Sequence, residues 1–531
     1  MKYSVRSLYA AAGVTTVGDV AYLSNKSATP QALSRLCNQL INEEWFQKAV
    51  APVGLGPITR TNLTSFIALE SLYLAMKRTM KGFPTPEEPF RMLDRKREPA
   101  WMTKLPPSAQ RYIRCSYATT EGTDPLGIVP KFPYMGFGYV IADSGIASEA
   151  TQVFNLHRLH SIKQLSFLHD PVGTENDLKI NGLLFDHSRY CHVLDTYTVA
   201  NLIDANLGIN GSVGNTLGTT AISHDALTPA GGDSVKLIDP QAFDEDAHYP
   251  ELLDGPAWNK YREQFGIDRE LLIQTILGKG FLGRILDIAD KSSYLARDVN
   301  AYLGTATPQR DARNVHYYTI ADMVINDPYI CAVWESARRY DGTLVFGNAE
   351  RLGRFLKLRA LMFRALYYNP YSRFFEYLIG KGVVKYLYMN GQVTREDLLK
   401  HEDYWLERKI DEVLGAFMML RACTSLESAR VEEHRDMDAA KRRAAEFESN
   451  PSVIVILDDF FPTTSDGTRK FMVRNGRRVE VFADAFPKQA EEIAGIMTFP
   501  KVTRLHFLDA DDLQLSHESR ARLKAILKIV S

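Results

Sequence analysis

The sequence predicts a mainly α protein with a small α+β lobe at its C-terminal end, and three observations carry that reading. Apolar side chains recur at helical spacing from about residue 150 to 445. Beyond 445 the texture changes to short apolar runs separated by turn residues. Before 146, helical periodicity returns, interrupted by loops. The expected organisation is a helical N-terminal extension over 1–145, a helical core over 146–445 and an α+β lobe over 446–531. A chain of 531 residues accommodates this at roughly 150 residues per unit.

Each element has a local reason. In 33–50, Leu36, Leu40, Ile41, Trp45 and Phe46 fall on one helical face, as do Leu69, Leu72, Tyr73 and Met76 in 66–80. From Gly82 to Pro107 the prolines forbid a continuous helix, so this charged stretch reads as a surface loop. Its Arg95-Lys96-Arg97 and Lys104 are either solvated or an anion site. The dense charge run from Arg430 to Glu448 suits an exposed helical face. Val453–Leu457, Lys470–Val473 and Arg478–Phe482 read as strands, with Asn475-Gly476 as a hairpin turn between the last two. Pro487 to Met497 reads as a helix with proline in its first turn, and Val502–Leu508 as a further strand.

Composition narrows the function classes. Apolar residues at 45% and charged residues at 24% exclude a disordered, collagenous or disulfide-stapled chain. With 63 basic against 64 acidic side chains, no global field draws the protein to nucleic acid or anionic lipid. Cys37, Cys115, Cys191, Cys331 and Cys423 are scattered without a CxxC pair, which suits reduced thiols in a cytoplasmic protein. No apolar run reaches the ~18–20 residues needed to span a bilayer. The opening Met1–Val14 stretch faintly suggests a signal peptide, but Thr15, Thr16, Gly18 and Asp19 soon dilute it.

The chemistry-bearing feature is a set of metal-ligand side chains spread over separate segments expected to be helical. His187-Ser188-Arg189-Tyr190-Cys191-His192 opens an apolar-periodic run. Ala221-Ile222-Ser223-His224-Asp225 follows, and then Ile285 to Asp298, containing Asp290, Lys291, Tyr294 and Arg297. Imidazole and carboxylate ligands together suit Mn, Fe, Zn or Mg, and a divalent metal with open positions can activate water. On one helix, 290, 294 and 298 share a face, and so do 359, 363 and 367 on another.

The order His, His-Asp, Asp, each inside an apolar segment, resembles the HD-domain metal phosphohydrolases. The resemblance is closest to their deoxynucleoside triphosphate triphosphohydrolase branch. Arg158-Leu159-x-x-Ile162-Lys163-Gln164-Leu165 is similar to that branch's R-L-x-x-I-K-Q-L helix, and His187-x-Arg189-x-x-His192 to its H-x-R-F-x-H motif. Asp290-Lys291-x-x-Tyr294-x-x-Arg297-Asp298 resembles D-K-x-D-Y-x-x-R-D, with Ser293 in place of the middle Asp. Arg359-x-x-x-Phe363-x-x-x-Tyr367 resembles R-x-x-x-H-x-x-x-Y, with Phe363 where His is usual. The likeness covers roughly 150–500, and the first 145 residues match no named pattern.

The resemblance implies an HD-domain helical core with His192, His224, Asp225 and Asp290 as metal ligands. It places Arg189, Lys291 and Tyr294 near phosphates, Arg359 along the nucleotide pocket, and Gln164, Asp298 and Tyr367 around the sugar. The implied activity is metal-dependent hydrolysis of a deoxynucleoside triphosphate (dNTP) to deoxynucleoside and inorganic triphosphate. A homo-oligomer with effector nucleotides between subunits is common in the family, though its effector residues find no match here. One departure bears on catalysis. The usual H-D-x-G-H-x-P-F-x-H reads His224-Asp225-Ala226-Leu227-Thr228-Pro229-Ala230-Gly231-Gly232-Asp233, so both downstream histidines are replaced. Asp233, or a group within Asp244-Glu245-Asp246-Ala247-His248, is then the candidate for acid/base work. The alternatives are a phosphatase of another phosphorylated nucleotide and a nucleotide-binding scaffold with little or no turnover.

Overall fold

Where the sequence alternates or repeats, the backbone follows. The computed structural model describes residues 145–168, 188–209, 211–303, 315–327, 330–415, 429–447, 449–460, 464–510 and 515–530. The expected helices at 33–50 and 66–80, the proline-rich loop and His187 lie outside the described residues. Among the described residues, the α-helices of six residues or more begin with α1 (Ile146–Val153), α2 (Arg189–Leu207), α3 (Gly211–Ser223), α4 (Gly255–Phe265), α5 (Arg269–Ile276), α6 (Gly280–Leu303) and α7 (Tyr317–Asn326). After them come α8 (Ala349–Met362), α9 (Arg395–Lys400), α10 (Asp403–Leu414), α11 (Met437–Ala445), α12 (Pro487–Met497) and α13 (His517–Val530). The protein is mainly α, with a small α+β part at its C-terminal end. Among the described residues, no helix is long and apolar enough to cross a membrane.

Caps explain several boundaries. Ser188 starts α2 by accepting the Cys191 N–H at 3.3 Å, and Gly208 ends it in the left-handed region. Asn348 caps α8 through the Arg351 N–H, and Thr394 with Asp397 forms a reciprocal capping box on α9. Pro487 occupies the first turn of α12, where its missing N–H has no partner to lose.

The core assembles around α6. This helix packs on α2 and α5, while α3 packs on α1, α2 and α5. Ile285, Ile288, Ala289 and Leu295 of α6 are buried with Val193, Ala200, Leu217 and Ala221 in one apolar cluster. Arg297 of α6 and Asp195 of α2 form a buried two-pronged ion pair, whose second contact is Nη2 to Oδ1 at 2.9 Å. A second cluster gathers Val235, Phe374, Leu378, Leu406, Ile410 and Leu523. The segment 226–235 crosses from the first cluster to the second, since Ala226 belongs to one and Ala230 to the other.

Two small sheets correct details of the sequence reading. Strands β1 (Ala337–Tyr340), β2 (Thr343–Phe346), β5 (Met472–Asn475) and β6 (Arg478–Val481) make one sheet in the order β1-β2-β5-β6. Its β2–β5 pair is parallel, with Val345 opposite Met472. The other sheet places β7 (Val502–Asp509) between β3 (Arg430–His434) and β4 (Val453–Phe460). Strand pairing therefore crosses residue 445, and the late hairpin is built onto the helical core. The charge run 430–448 is not a single helical face. Arg430–His434 pairs with β7, and α11 begins after Asp436, whose carboxylate accepts the Ala439 N–H at 2.6 Å. High charge density conceals a strand none of whose residues is buried.

The Asp195–Arg297 pair yields a stability prediction. Removing one member takes away the main counter-charge of a buried ion, and breaking a buried pair in this way costs ~3–5 kcal/mol. Asp195→Ala is expected to unfold at clearly lower temperature than the wild type in a circular-dichroism melt. Unchanged melting would show that the pair does not clamp α2 to α6.

Candidate metal centre

Three chain segments converge on one point. α2 supplies His192, and α6 supplies Asp290 at mid-length. His224 and Asp225 come from the turn just beyond α3, rather than from within a helix as their apolar flank suggested. Ending the helix at Ser223 lets two adjacent side chains reach the same place, which successive helical positions 100° apart do poorly. His224 is oriented by a contact of 2.9 Å between its Nδ1 and the Ala221 carbonyl, leaving Nε2 free to point at the cluster.

The four side chains form a compact donor set. His192 Nε2 lies 3.1 Å from both His224 Nε2 and Asp290 Oδ1. Asp225 Oδ2 is 3.6 Å from His192 Nε2, and His224 Nε2 is 3.7 Å from both Asp225 Oδ1 and Asp290 Oδ1. Ligand atoms each about 2.0–2.2 Å from one divalent ion stand about 3.0–3.6 Å from one another, so the spacing fits. His192, His224 and Asp290 together could hold a metal ion, with Asp225 beside them. His192 is 2% exposed and the Asp290 side chain 32% exposed, so the cluster opens on the Asp290 side. A substrate or water has access there.

The electrostatics call for a cation. Burial pushes His224 down, but Asp225 and Asp290 override it and raise its pKa to about 9. Both carboxylates titrate below their usual range: burial raises them, and the imidazoles, with Arg189 for Asp225, outweigh it. A divalent ion answers the same need and displaces the imidazole proton.

Around this cluster the structure places the other predicted residues in two groups. Arg189, fully buried, donates to Asp225 Oδ2 at 3.0 Å and also pairs with Asp233. Asp233 is half exposed and has a second partner, Lys236, at 2.8 Å. Burial raises the Asp233 carboxyl, yet Arg189 and Lys236 bring it down to about 2, so it is a carboxylate at neutral pH. As a proton donor it is therefore unsuited. The Gly231-Gly232 turn that presents it has φ of 82° and 56°, and a Cβ on Gly232 would collide with Ser166. Thr228, at the other replaced histidine position, is buried with its hydroxyl unpartnered. In the acidic stretch 244–248, Asp244 caps a short helix, and His248 pairs with Glu251 at 2.6 Å.

The second group lines α6 and what faces it. Lys291 pairs with Asp287 one turn back, and Lys470 reaches the same Asp287 oxygen at 2.6 Å from the segment before β5. Burial lowers the Lys291 pKa, and the neighbouring charges of Arg359 and Lys470 lower it further against the pull of Asp287. Two lysines thus share one carboxylate, and Arg359 lies near enough to act electrostatically on both Lys291 and Asp287. Arg359 donates to the Tyr294 hydroxyl at 3.0 Å and to the Ser465 carbonyl at 2.9 Å. Tyr367 donates to Asp298 Oδ2 at 2.6 Å, and its ring meets Tyr294 edge-on at 6.2 Å. α8 ends at Met362 and continues as a π-helix over Phe363–Tyr367, so 359, 363 and 367 do not follow a regular α-helical face. Phe363 instead lies under the Arg359 guanidinium, 4.8 Å away. Ser293 bonds back to the Ala289 carbonyl at 2.7 Å within its own helix. Gln164 is buried with Oε1 unpartnered, beside the Lys163–Ser188 bridge that leads into α2.

Sequence reasoning missed three contributors. Asp287 and Lys470 carried no motif. Asp403 of α10 accepts the backbone N–H of Lys163 at 2.9 Å and of Gly231 at 2.7 Å, tying together the two loops that flank Arg189. No local signal could reveal partners so distant along the chain.

No family model matches the chain, and no curated protein matches it. Solved structures similar to it include a phosphohydrolase from Bacteroides thetaiotaomicron, at 14% identity and a TM-score of 0.49, over 70% of this chain and 98% of that one. Another is a hypothetical protein from Aquifex aeolicus, at 15% identity and a TM-score of 0.48, over 73% of this chain and 98% of that one.

The donor set generates a direct prediction. Protein reconstituted with Mn, then desalted, is expected to retain metal by elemental analysis, whereas His224→Ala and Asp290→Ala lose most of it. Removal of a ligand leaves too few groups to satisfy the ion. Equal retention by wild type and both variants would place the metal elsewhere.

Proposed function

We propose that the chain is a metal-dependent phosphohydrolase that converts deoxynucleoside triphosphates to deoxynucleoside and inorganic triphosphate. The observation that carries this reading is the adjacency, on α6, of the Asp290 corner of the ligand cluster and the Lys291–Arg359–Lys470 group of cations. A divalent ion bound by His192, His224, Asp225 and Asp290 would polarise a phosphoryl oxygen and make water a stronger nucleophile.

The chain's own residues would divide the remaining work. Lys291 and Lys470, sharing Asp287, turn toward phosphate oxygens and neutralise their charge. Tyr294 fixes the Arg359 guanidinium, so that its planar fork is ordered before an anion arrives. Arg189, held by Asp225 and Asp233, keeps a fixed positive charge beside the ligand set. Asp298 and Tyr367 form the sugar end: the carboxylate accepts a hydroxyl proton, and the ring occupies space that a ribose 2′-hydroxyl would need. Gln164, with its free buried acceptor, contributes to the same end.

One observation favours a second reading, a nucleotide-binding regulatory scaffold with weak or no turnover. At the two positions where the resembled family has histidines, this chain has a locked carboxylate and a buried threonine, and neither donates a proton at neutral pH. General acid-base groups contribute ~10²–10⁴-fold to rate. Incubation with each dNTP and NTP plus Mn or Mg, followed by product chromatography, separates the readings. The expected products are deoxynucleoside and triphosphate. Release of phosphate or pyrophosphate points to a different phosphatase, and saturable binding without products to the scaffold.

Sugar selectivity gives a further prediction. dGTP and dATP are expected to be preferred over GTP and ATP, and Tyr367→Ala to narrow the gap in kcat/KM. Equal use of ribonucleotides by the wild type would remove Tyr367 from the sugar pocket.

A further inference from the structure

A cavity of 480 Å³ lies where the turn of 3₁₀-helix at Leu156–Ser161 meets the connection between α9 and α10. That volume is within the ~300–1,000 Å³ range of small-molecule sites. Its walls combine flat rings with positive charge. His401 and Trp405 stack with ring centres 4.4 Å apart and planes 14° from parallel. Lys400 and Arg408 project from exposed positions on α9 and α10. Lys409 is neutralised by Glu412 at 2.8 Å, and Glu402 is the other acid of the lining.

The deep wall holds the decisive group. Arg158 is only 8% exposed, and its Nη2 donates to the Ala226 carbonyl at 2.7 Å. Its Nη1 is buried with no hydrogen-bond partner, and Arg158 is one of the residues that line the cavity. Buried guanidinium N–H groups are normally paired, and a phosphate oxygen is the acceptor that suits their geometry best.

We infer that this cavity binds a small ligand combining a flat ring with a phosphate, the chemistry of a nucleoside phosphate. The ring lies against the Trp405–His401 pair, and the phosphate sits among Arg158, Lys400 and Arg408. The site is formed within one chain and is separate from the metal centre, but it is wired to it twice. Arg158 holds the carbonyl of Ala226, the residue after the metal-cluster Asp225. Asp403, on the first turn of the helix bearing Trp405, holds the backbone of Gly231 and Lys163.

Calorimetric titration of metal-free protein in EDTA, with AMP, GMP, adenosine and inorganic phosphate as probes, tests this inference. The nucleoside monophosphates are expected to bind saturably, with adenosine and phosphate each weaker by about tenfold or more, since each lacks half of the contacts. Arg408→Glu, an exposed reversal checked for an unchanged melting profile, is expected to weaken AMP by about tenfold or more. Equal AMP affinity in wild type and Arg408→Glu, or no saturable binding of any probe, would overturn the assignment. None of these outcomes depends on whether the protein hydrolyses dNTPs.

Discussion

Asp225 and Asp290 meet two imidazoles in a space barely larger than one ion, and the rest of the described structure is arranged around that concentration of negative charge. Carboxylates so near each other repel unless a cation lies between or beside them. The fold provides a permanent cation, Arg189, against one of them, and leaves the centre for a metal or a protonated histidine. Holding such a group requires rigid supports, which is why the helices delivering it are locked by buried contacts. The Asp195–Arg297 pair joins the two ligand-bearing helices directly, and Asp403 fixes the loops on either side of Arg189. Positioning of this kind lets electrostatic stabilisation act without reorganisation.

The part of the site legible in the sequence is the part written on a single helix. Asp290, Lys291, Tyr294 and Asp298 lie within nine residues, and helical geometry alone puts 290, 294 and 298 on one face. The His-Asp dipeptide was legible as chemistry but not as geometry, because its helix ends one residue earlier and no residue at that boundary announces it. Phe363 and Tyr367 show a different limit. Their spacing promised a regular α-helix, whereas the backbone widens into a π turn that re-aims both rings.

Partners far apart in sequence stayed hidden for a simpler reason: nothing local encodes them. Lys470 and Asp287 are 183 positions apart, and Asp403 and Lys163 are 240 apart. The C-terminal lobe shows the same division. Alternation located β4, β5, β6 and β7 to within a few residues, and Pro487–Met497 emerged as a helix over that very span. The Asn475-Gly476 turn announced the β5–β6 pair, but nothing local announced β2 as the partner of β5 or β3 as the neighbour of β7.

The reach of Lys470 to Asp287 also sets an order of assembly during synthesis. Proteins emerge N-terminus first. The cluster of His192, His224, Asp225 and Asp290 is complete once residue 290 has left the ribosome, while the second lysine on Asp287 arrives only with residue 470. A nascent chain thus passes through a long interval in which Asp287 has Lys291 beside it but not Lys470. Docking of the late hairpin on β2 and the arrival of Lys470 at Asp287 are then one event, since that lysine lies just before β5.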